Sequence, residues 1–89
     1  QFTSQFEFTL YPSPNNGDFT ISGKLDKDQT MFVRILNAAG QDVYNTRLES
    51  DKRFIYHQFN LKDRLSSGIY TLQATYNGRI IRIPFTIIR

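Results

Sequence analysis

The sequence predicts an all-β domain, a seven-stranded immunoglobulin-like antiparallel β-sandwich. Three observations carry that expectation. Apolar and polar residues alternate with period two along most of the chain, the signature of half-buried strands. Turn-forming residues recur at intervals of about 8–12 residues, the spacing of short sandwich strands. A tyrosine, Tyr70, follows a leucine–glycine corner at Leu65-Ser66-Ser67-Gly68, where such sandwiches place a tyrosine whose hydroxyl bonds back to the upstream chain. Tyr70 could also be one more core aromatic.

Each element follows from local pattern. Phe6, Phe8 and Leu10 alternate with Glu7 and Thr9 and predict a first strand. Tyr11 to Gly17, with Pro12, Pro14, Asn15 and Asn16, is a dense turn signal. Phe19, Ile21, Gly23 and Leu25 alternate with Thr20, Ser22 and Lys24 and predict a second strand; Asp26 to Gln29 turns the chain. Met31, Val33 and Ile35 define a third strand. Its other face carries Phe32, Arg34 and Leu36, and apolar residues on both faces suit a central strand. Asn37 fits the first position of a type I turn, and Gly40 fits the left-handed residue that closes such a hairpin. Asp42 to Arg47 returns, and Leu48 to Lys52 reads as a charged connection. Phe54 to Asn60 is a fifth strand, with Ile55, His57 and Phe59 on one face and Phe54 and Tyr56 on the other. Leu61 and Leu65 provide one helical turn and no more. Gly68 begins the sixth strand and Arg79 the seventh.

The last hairpin sets its own register. Asn77-Gly78 is a strong two-residue turn signal, because both residues tolerate positive φ. Counting outward pairs Ala74 with Ile81, Leu72 with Ile83 and Tyr70 with Phe85 on one apolar face. The opposite face pairs Thr75 with Ile80, Gln73 with Arg82 and Thr71 with Pro84. Hydrogen-bonded and non-bonded pairs alternate from the turn, so Thr71–Pro84 is non-bonded and the missing N–H of Pro84 faces away from the hairpin. The seventh strand is therefore expected to be an edge, or bulged, near Pro84.

Composition bounds the function. With 89 residues the chain is one domain, and its 15% aromatic content argues for a packed core. It lacks cysteine, so it has neither disulfide nor thiolate chemistry. Eleven Lys and Arg against eight Asp and Glu are dispersed without a run, which does not suit nucleic-acid binding. No apolar run approaches the ~20 residues that span a bilayer, so no membrane insertion is expected. Gln1 to Gln5 lacks the features of a signal peptide. Gln1 to Gln5 reads as the start of a piece cut from a larger protein.

Chemistry-bearing constellations are sparse. The single histidine, His57, lies within an apolar alternation and is a packed side chain more readily than a ligand or base. A zinc site needs three or four donors of the N or S type. Asp26 and Asp28 form a D-x-D that could hold calcium or simply turn the chain; the rest of a calcium loop is missing. The five glycines are isolated, so no phosphate loop exists. No cofactor, metal or catalytic residue is expected, and hence no enzyme. Phe32, Tyr44, Tyr56 and Tyr76 could together form an exposed sugar-binding face, which is the alternative reading: an adhesion or carbohydrate-binding module of a larger surface protein.

Four blocks carry a resemblance. Leu10-Tyr11-Pro12-Ser13-Pro14-Asn15-Asn16-Gly17-Asp18-Phe19-Thr20-Ile21, the segment Val33 to Tyr44 around Gly40, the segment Leu61 to Leu72 around Ser67-Gly68-Ile69-Tyr70, and the closing strand Ile80 to Arg89 occur in this order. Together they resemble the type A C-terminal sorting domains of the type IX (Por) secretion system. Ser13 departs from the usual asparagine, and Arg79, Arg82 and Arg89 stand where lysine is common. The resemblance implies a secretion signal joined to an N-terminal cargo, in a Gram-negative bacterium. An outer-membrane translocon and a shuttle protein would recognise it in the periplasm, and a surface sortase-like protease would remove it as the cargo is anchored or released outside the cell. The removed boundary would lie near Gln1–Gln5, with residues 1–7 a linker remnant and 8–89 the sorting domain. Gly68 and Tyr70 would set the fold, while Ile83, Phe85, Ile87 and Arg89 would carry the signal. Pro12, Pro14, Gly17, Gly40, Asn77 and Gly78 would shape the motif turns.

Overall fold

Period-two patterning resolves into two antiparallel sheets whose apolar faces meet. A computed structural model describes residues 8–25 and 27–89. The strands are β1 (Phe8–Tyr11), β2 (Asp18–Lys24), β3 (Thr30–Leu36), β4 (Asp42–Glu49), β5 (Phe54–Asn60), β6 (Gly68–Tyr76) and β7 (Arg79–Ile87). One sheet has the order β1-β2-β5 and the other β4-β3-β6-β7. The expected seven-stranded immunoglobulin-like sandwich is the fold, with β3 central in its sheet and β7 at an edge. The expected linker 1–7, Phe6 and Asp26 lie outside the described residues.

The core consists of the inward residues of both sheets. Phe19 and Ile21 of β2 and Ile55 and Phe59 of β5 face Met31, Val33 and Ile35 of β3 and Leu72 and Ala74 of β6, all buried. An aromatic chain crosses between the sheets. His57 meets Phe59 edge-on at 4.7 Å, Phe59 stacks on Phe19 at 4.9 Å, Phe19 meets Phe85 at 4.8 Å, and Phe85 stacks on Tyr70 at 5.8 Å. Such pairs add about 0.5–1.5 kcal/mol each beyond their buried area. Phe85 therefore joins the terminal strand to the opposite sheet.

One boundary differs from the sequence expectation. Leu48 and Glu49 continue β4 rather than opening a connection, because Leu48 pairs with Met31 and buries its side chain. Charge on Glu49 masked that alternation. The chain then reverses at Lys52-Arg53, and Asp51 and Phe54 exchange backbone bonds of 2.9 and 3.0 Å. Lys52 and Arg53 have φ of 53° and 71°. Side chains with a Cβ are disfavoured there, and Asn or Gly is the usual occupant. Asp28 offsets part of that strain, since its carboxylate accepts the Arg53 N–H and the Ser50 hydroxyl.

The other turns follow their residues. Asn77 and Gly78 have φ of 49° and 74°, the signs of a type I′ turn. Gly40 N–H donates to Asn37 C=O at 2.9 Å, closing the expected turn at Gly40. Gly17 has φ of +112°, and a Cβ there would lie 2.6 Å from Lys62 Cα. That approach lets Gly17 C=O accept the Leu61 N–H at 2.9 Å, so the β1–β2 turn seals against the chain leaving β5. At Gly68 a Cβ would meet only Tyr70 Cε1 at 3.6 Å, an ordinary contact.

The two glycines should separate cleanly in urea unfolding. Gly17→Ala should cost about 3 kcal/mol or more, from φ strain and a backbone clash, whereas Gly68→Ala should cost less than about 1 kcal/mol. Replacing Lys52-Arg53 by Asn-Gly should instead raise stability by about 1–2 kcal/mol, read as a higher urea midpoint at unchanged slope.

Candidate functional site

The β6–β7 hairpin has the register that Asn77-Gly78 dictates. Tyr76 faces Arg79, Ala74 faces Ile81, Leu72 faces Ile83, Thr71 faces Pro84, Tyr70 faces Phe85 and Gly68 faces Ile87. Alternation of bonded pairs from the turn directs the backbone groups of Ile80, Arg82, Pro84 and Thr86 to the outer side of β7. Among the described residues no strand lies on that side, so β7 is the edge expected near Pro84.

The far end of this edge is occupied. Asn15, in the turn between β1 and β2, donates its N–H to Thr86 C=O at 3.1 Å and accepts the Ile88 N–H at 2.8 Å. This parallel bridge opposes Asn15 to Ile87. The Asn15 side chain shapes the turn that makes the bridge possible. Its Oδ1 accepts the Gly17 N–H at 2.9 Å and its Nδ2 donates to Pro12 C=O at 3.0 Å. The Tyr11–Pro12 and Ser13–Pro14 bonds flanking this turn are cis. Asn15 is buried, as a polar group with partners on both sides of its amide can be.

Arg89 adds a second fastening. Its N–H donates to Ser67 Oγ at 3.0 Å, and its guanidinium Nη1 donates to Leu65 C=O. Leu65 belongs to the single turn whose Arg64 and Leu65 N–H groups both donate to Leu61 C=O. Beside it, Tyr70 Oη donates to Ser66 C=O at 2.8 Å, so the tyrosine corner is present. Asn15, Gly17, the Leu61–Leu65 turn, Tyr70 and Arg89 thus form one fastening at one end of the sandwich.

The candidate signal residues fall into different environments. Phe85 and Ile87 are buried at 3% and 1%, and Ile83 is half-buried against the core. A partner cannot touch Phe85 or Ile87 while the domain is folded. Arg89 is exposed but directed back onto the corner. Pro12, Pro14, Gly40, Asn77 and Gly78 are exposed turn residues, while Gly17 is buried. Asn15, read from sequence only as part of a turn, and Thr86, which sequence pattern did not single out, hold the strand end. The available signal was an asparagine two residues before a glycine, a spacing at which the side chain bonds its own backbone.

No sugar platform forms from the aromatics expected to supply one. Tyr76 is buried and Tyr44 packs edge-on to Phe59 between the sheets, while Phe32 and Tyr56 stand on opposite outer faces. Asp28 serves the Lys52-Arg53 turn, and among the described residues no group of three or more His, Asp or Glu could hold a metal ion. No helix among those residues is long and apolar enough to cross a membrane.

Asn15→Ala should lower stability by about 2–3 kcal/mol, because Gly17 N–H loses its buried acceptor. Hydrogen exchange should locate the effect, with the Ile88 amide accelerated more than those of Leu72 and Ala74. Equal acceleration at all three would mean that Asn15 does not fasten the strand end.

Residues 9–86 match the family described as secretion system C-terminal sorting domain. Among solved structures, PorZ of Porphyromonas gingivalis, an essential bacterial surface component of the type IX secretion system, is similar with a TM-score of 0.66 and 24% identity. The alignment covers 92% of this chain and 11% of that one, so the likeness is to a small part of PorZ and is one of fold. No curated protein matches. The match over residues 9–86 shows that the chain belongs to the secretion system C-terminal sorting domains, the sorting signals of type IX secretion.

Proposed function

We propose that this is a type A sorting signal that docks through its terminal hairpin and performs no chemistry of its own. Cargo joined to its N-terminal side is carried from the periplasm across the outer membrane of a Gram-negative bacterium. The translocon and shuttle protein read the folded domain, and a sortase-like protease at the surface separates it from the cargo. What supports the reading is β7: among the described residues it is an edge strand, open along Ile80 to Pro84 and held in place at Thr86 and Ile88. An edge of this kind presents unpaired backbone groups, the commonest way for a sheet to accept a partner. Docking must be reversible, which a short edge permits.

Phe85 and Ile87 act through the fold in this proposal. Each contributes on the order of 2–5 kcal/mol to a small core, so losing them removes the surface that a reader would meet. A reporter carrying an export signal and fused to residues 1–89 should reach the cell surface or medium. The same fusion without Pro84–Arg89 should remain in the periplasm, as measured by fractionation. Normal export of the truncated fusion overturns the proposal.

A further inference from the structure

The chain's net charge lies almost entirely on its last hairpin. Of eleven basic and eight acidic residues, residues 1–67 hold eight of each. Residues 68–89 hold the remaining three, Arg79, Arg82 and Arg89, and no acid at all. On β3 and β4, Arg34 binds Asp42 at 3.0 Å. On the hairpin, Arg82 is exposed and its Nε donates to a neutral group, Gln73 Oε1, at 3.2 Å.

The same short stretch carries the open backbone. Ile80 and Arg82 direct both N–H and C=O outward, by the alternation that also directs Thr86 C=O toward Asn15. Beyond them Pro84 offers a carbonyl but no N–H, and after Pro84 the Asn15 bridge fills the position a further strand would need. The turn at Asn77-Gly78 ends the edge on the other side. Ile80 adds an apolar anchor, 52% exposed. The opening is thus bounded at both ends, and Arg82 is the charged residue of its strand segment, Ile80 to Pro84.

Resting on the proposed docking through the hairpin, we propose that the reader adds a short extended segment bearing carboxylates to the outer edge of β7, paired at Ile80 and Arg82. Backbone bonds hold the segment and Arg82 selects its charge. Registers extending past Pro84 are refused by the missing donor and by Asn15. Uncharged and basic segments meet the same backbone but lose the charge contact, so acidity is the selecting feature.

The test uses the full-chain reporter fusion, with the Pro84–Arg89 deletion alongside. Arg82→Pro deletes an outward N–H that no strand among the described residues uses. Ile80→Pro does the same one pair nearer the turn. Whichever retains a cooperative melt should cut export about tenfold or more, because a lost edge donor and a ring at the edge both oppose strand addition. Arg82→Glu should cut export by about tenfold, since like charges across an interface are strongly disfavoured, while Arg82→Lys should stay within about twofold of the parent. Normal export of the folded proline variants overturns strand addition. Equal export of Arg82→Glu and Arg82→Lys overturns the acidic partner. Failure of the underlying reading looks different, because the Pro84–Arg89 deletion would then itself export normally.

Discussion

The structure turns on the backbone of Asn15. An edge strand is held by one neighbouring strand only, so its ends open more readily than those of a strand paired on both sides. Here the β1–β2 turn, from the other sheet, supplies a second partner to Thr86 and Ile88. Those bonds are net worth only about 0.5–1.5 kcal/mol each. Their effect is larger than that sum because they secure Phe85 and Ile87, which fill the gap between the sheets. The bridge in turn depends on the Asn15 amide, which bonds Pro12 and Gly17, and on Gly17, whose missing Cβ lets the turn lie against Lys62. Local turn chemistry near the start of the domain thereby fixes tertiary geometry at its end.

What could be read from sequence divides along physical lines. The β6–β7 register was legible residue by residue, because a two-residue turn and a period of two leave nothing free. The edge at Pro84 was legible for a related reason: a residue without an N–H cannot sit inside a ladder. The tyrosine corner was visible as a spacing, and its hydrogen bond to Ser66 is present. The length of β4 was not legible, since Leu48 is one buried residue amid charged ones and only its pairing with Met31 reveals the strand. The Asn15 bridge was also hidden. It joins residues 15 and 87, and no local pattern records a contact across that separation. Charge read as a total showed a mildly basic surface; only the strand boundaries show that the excess belongs to one hairpin.

The candidate signal residues show how one apolar pattern divides between two environments. Ile83, Phe85 and Ile87 repeat every second residue next to basic positions, which resembles a recognition stripe when read linearly. In three dimensions that stripe faces Tyr70 and Phe19, and the accessible side of the same strand is Ile80, Arg82 and Pro84. Alternation gives one strand two faces, one building the core and the other left accessible. A substitution on the inward face changes recognition by unfolding the domain; one on the outward face can change it alone.

An exposed edge is also a hazard, because identical copies can pair along it. The composition of β7 limits that hazard without closing the edge. Two copies paired antiparallel over Ile80 to Pro84 would bring two Arg82 side chains to the same short ladder, with no acid on either hairpin to offset them. Pro84 removes a donor from each copy and shortens the register available. A partner strand with carboxylates meets neither penalty at Arg82 and needs no pairing at Pro84. The arginine that repels a second copy is the one that attracts an acidic segment, so one side chain both protects the edge and selects its reader. This discrimination needs the Asn15 bridge, because a frayed strand end would lengthen the open edge beyond Pro84 and restore registers in which the charges no longer meet.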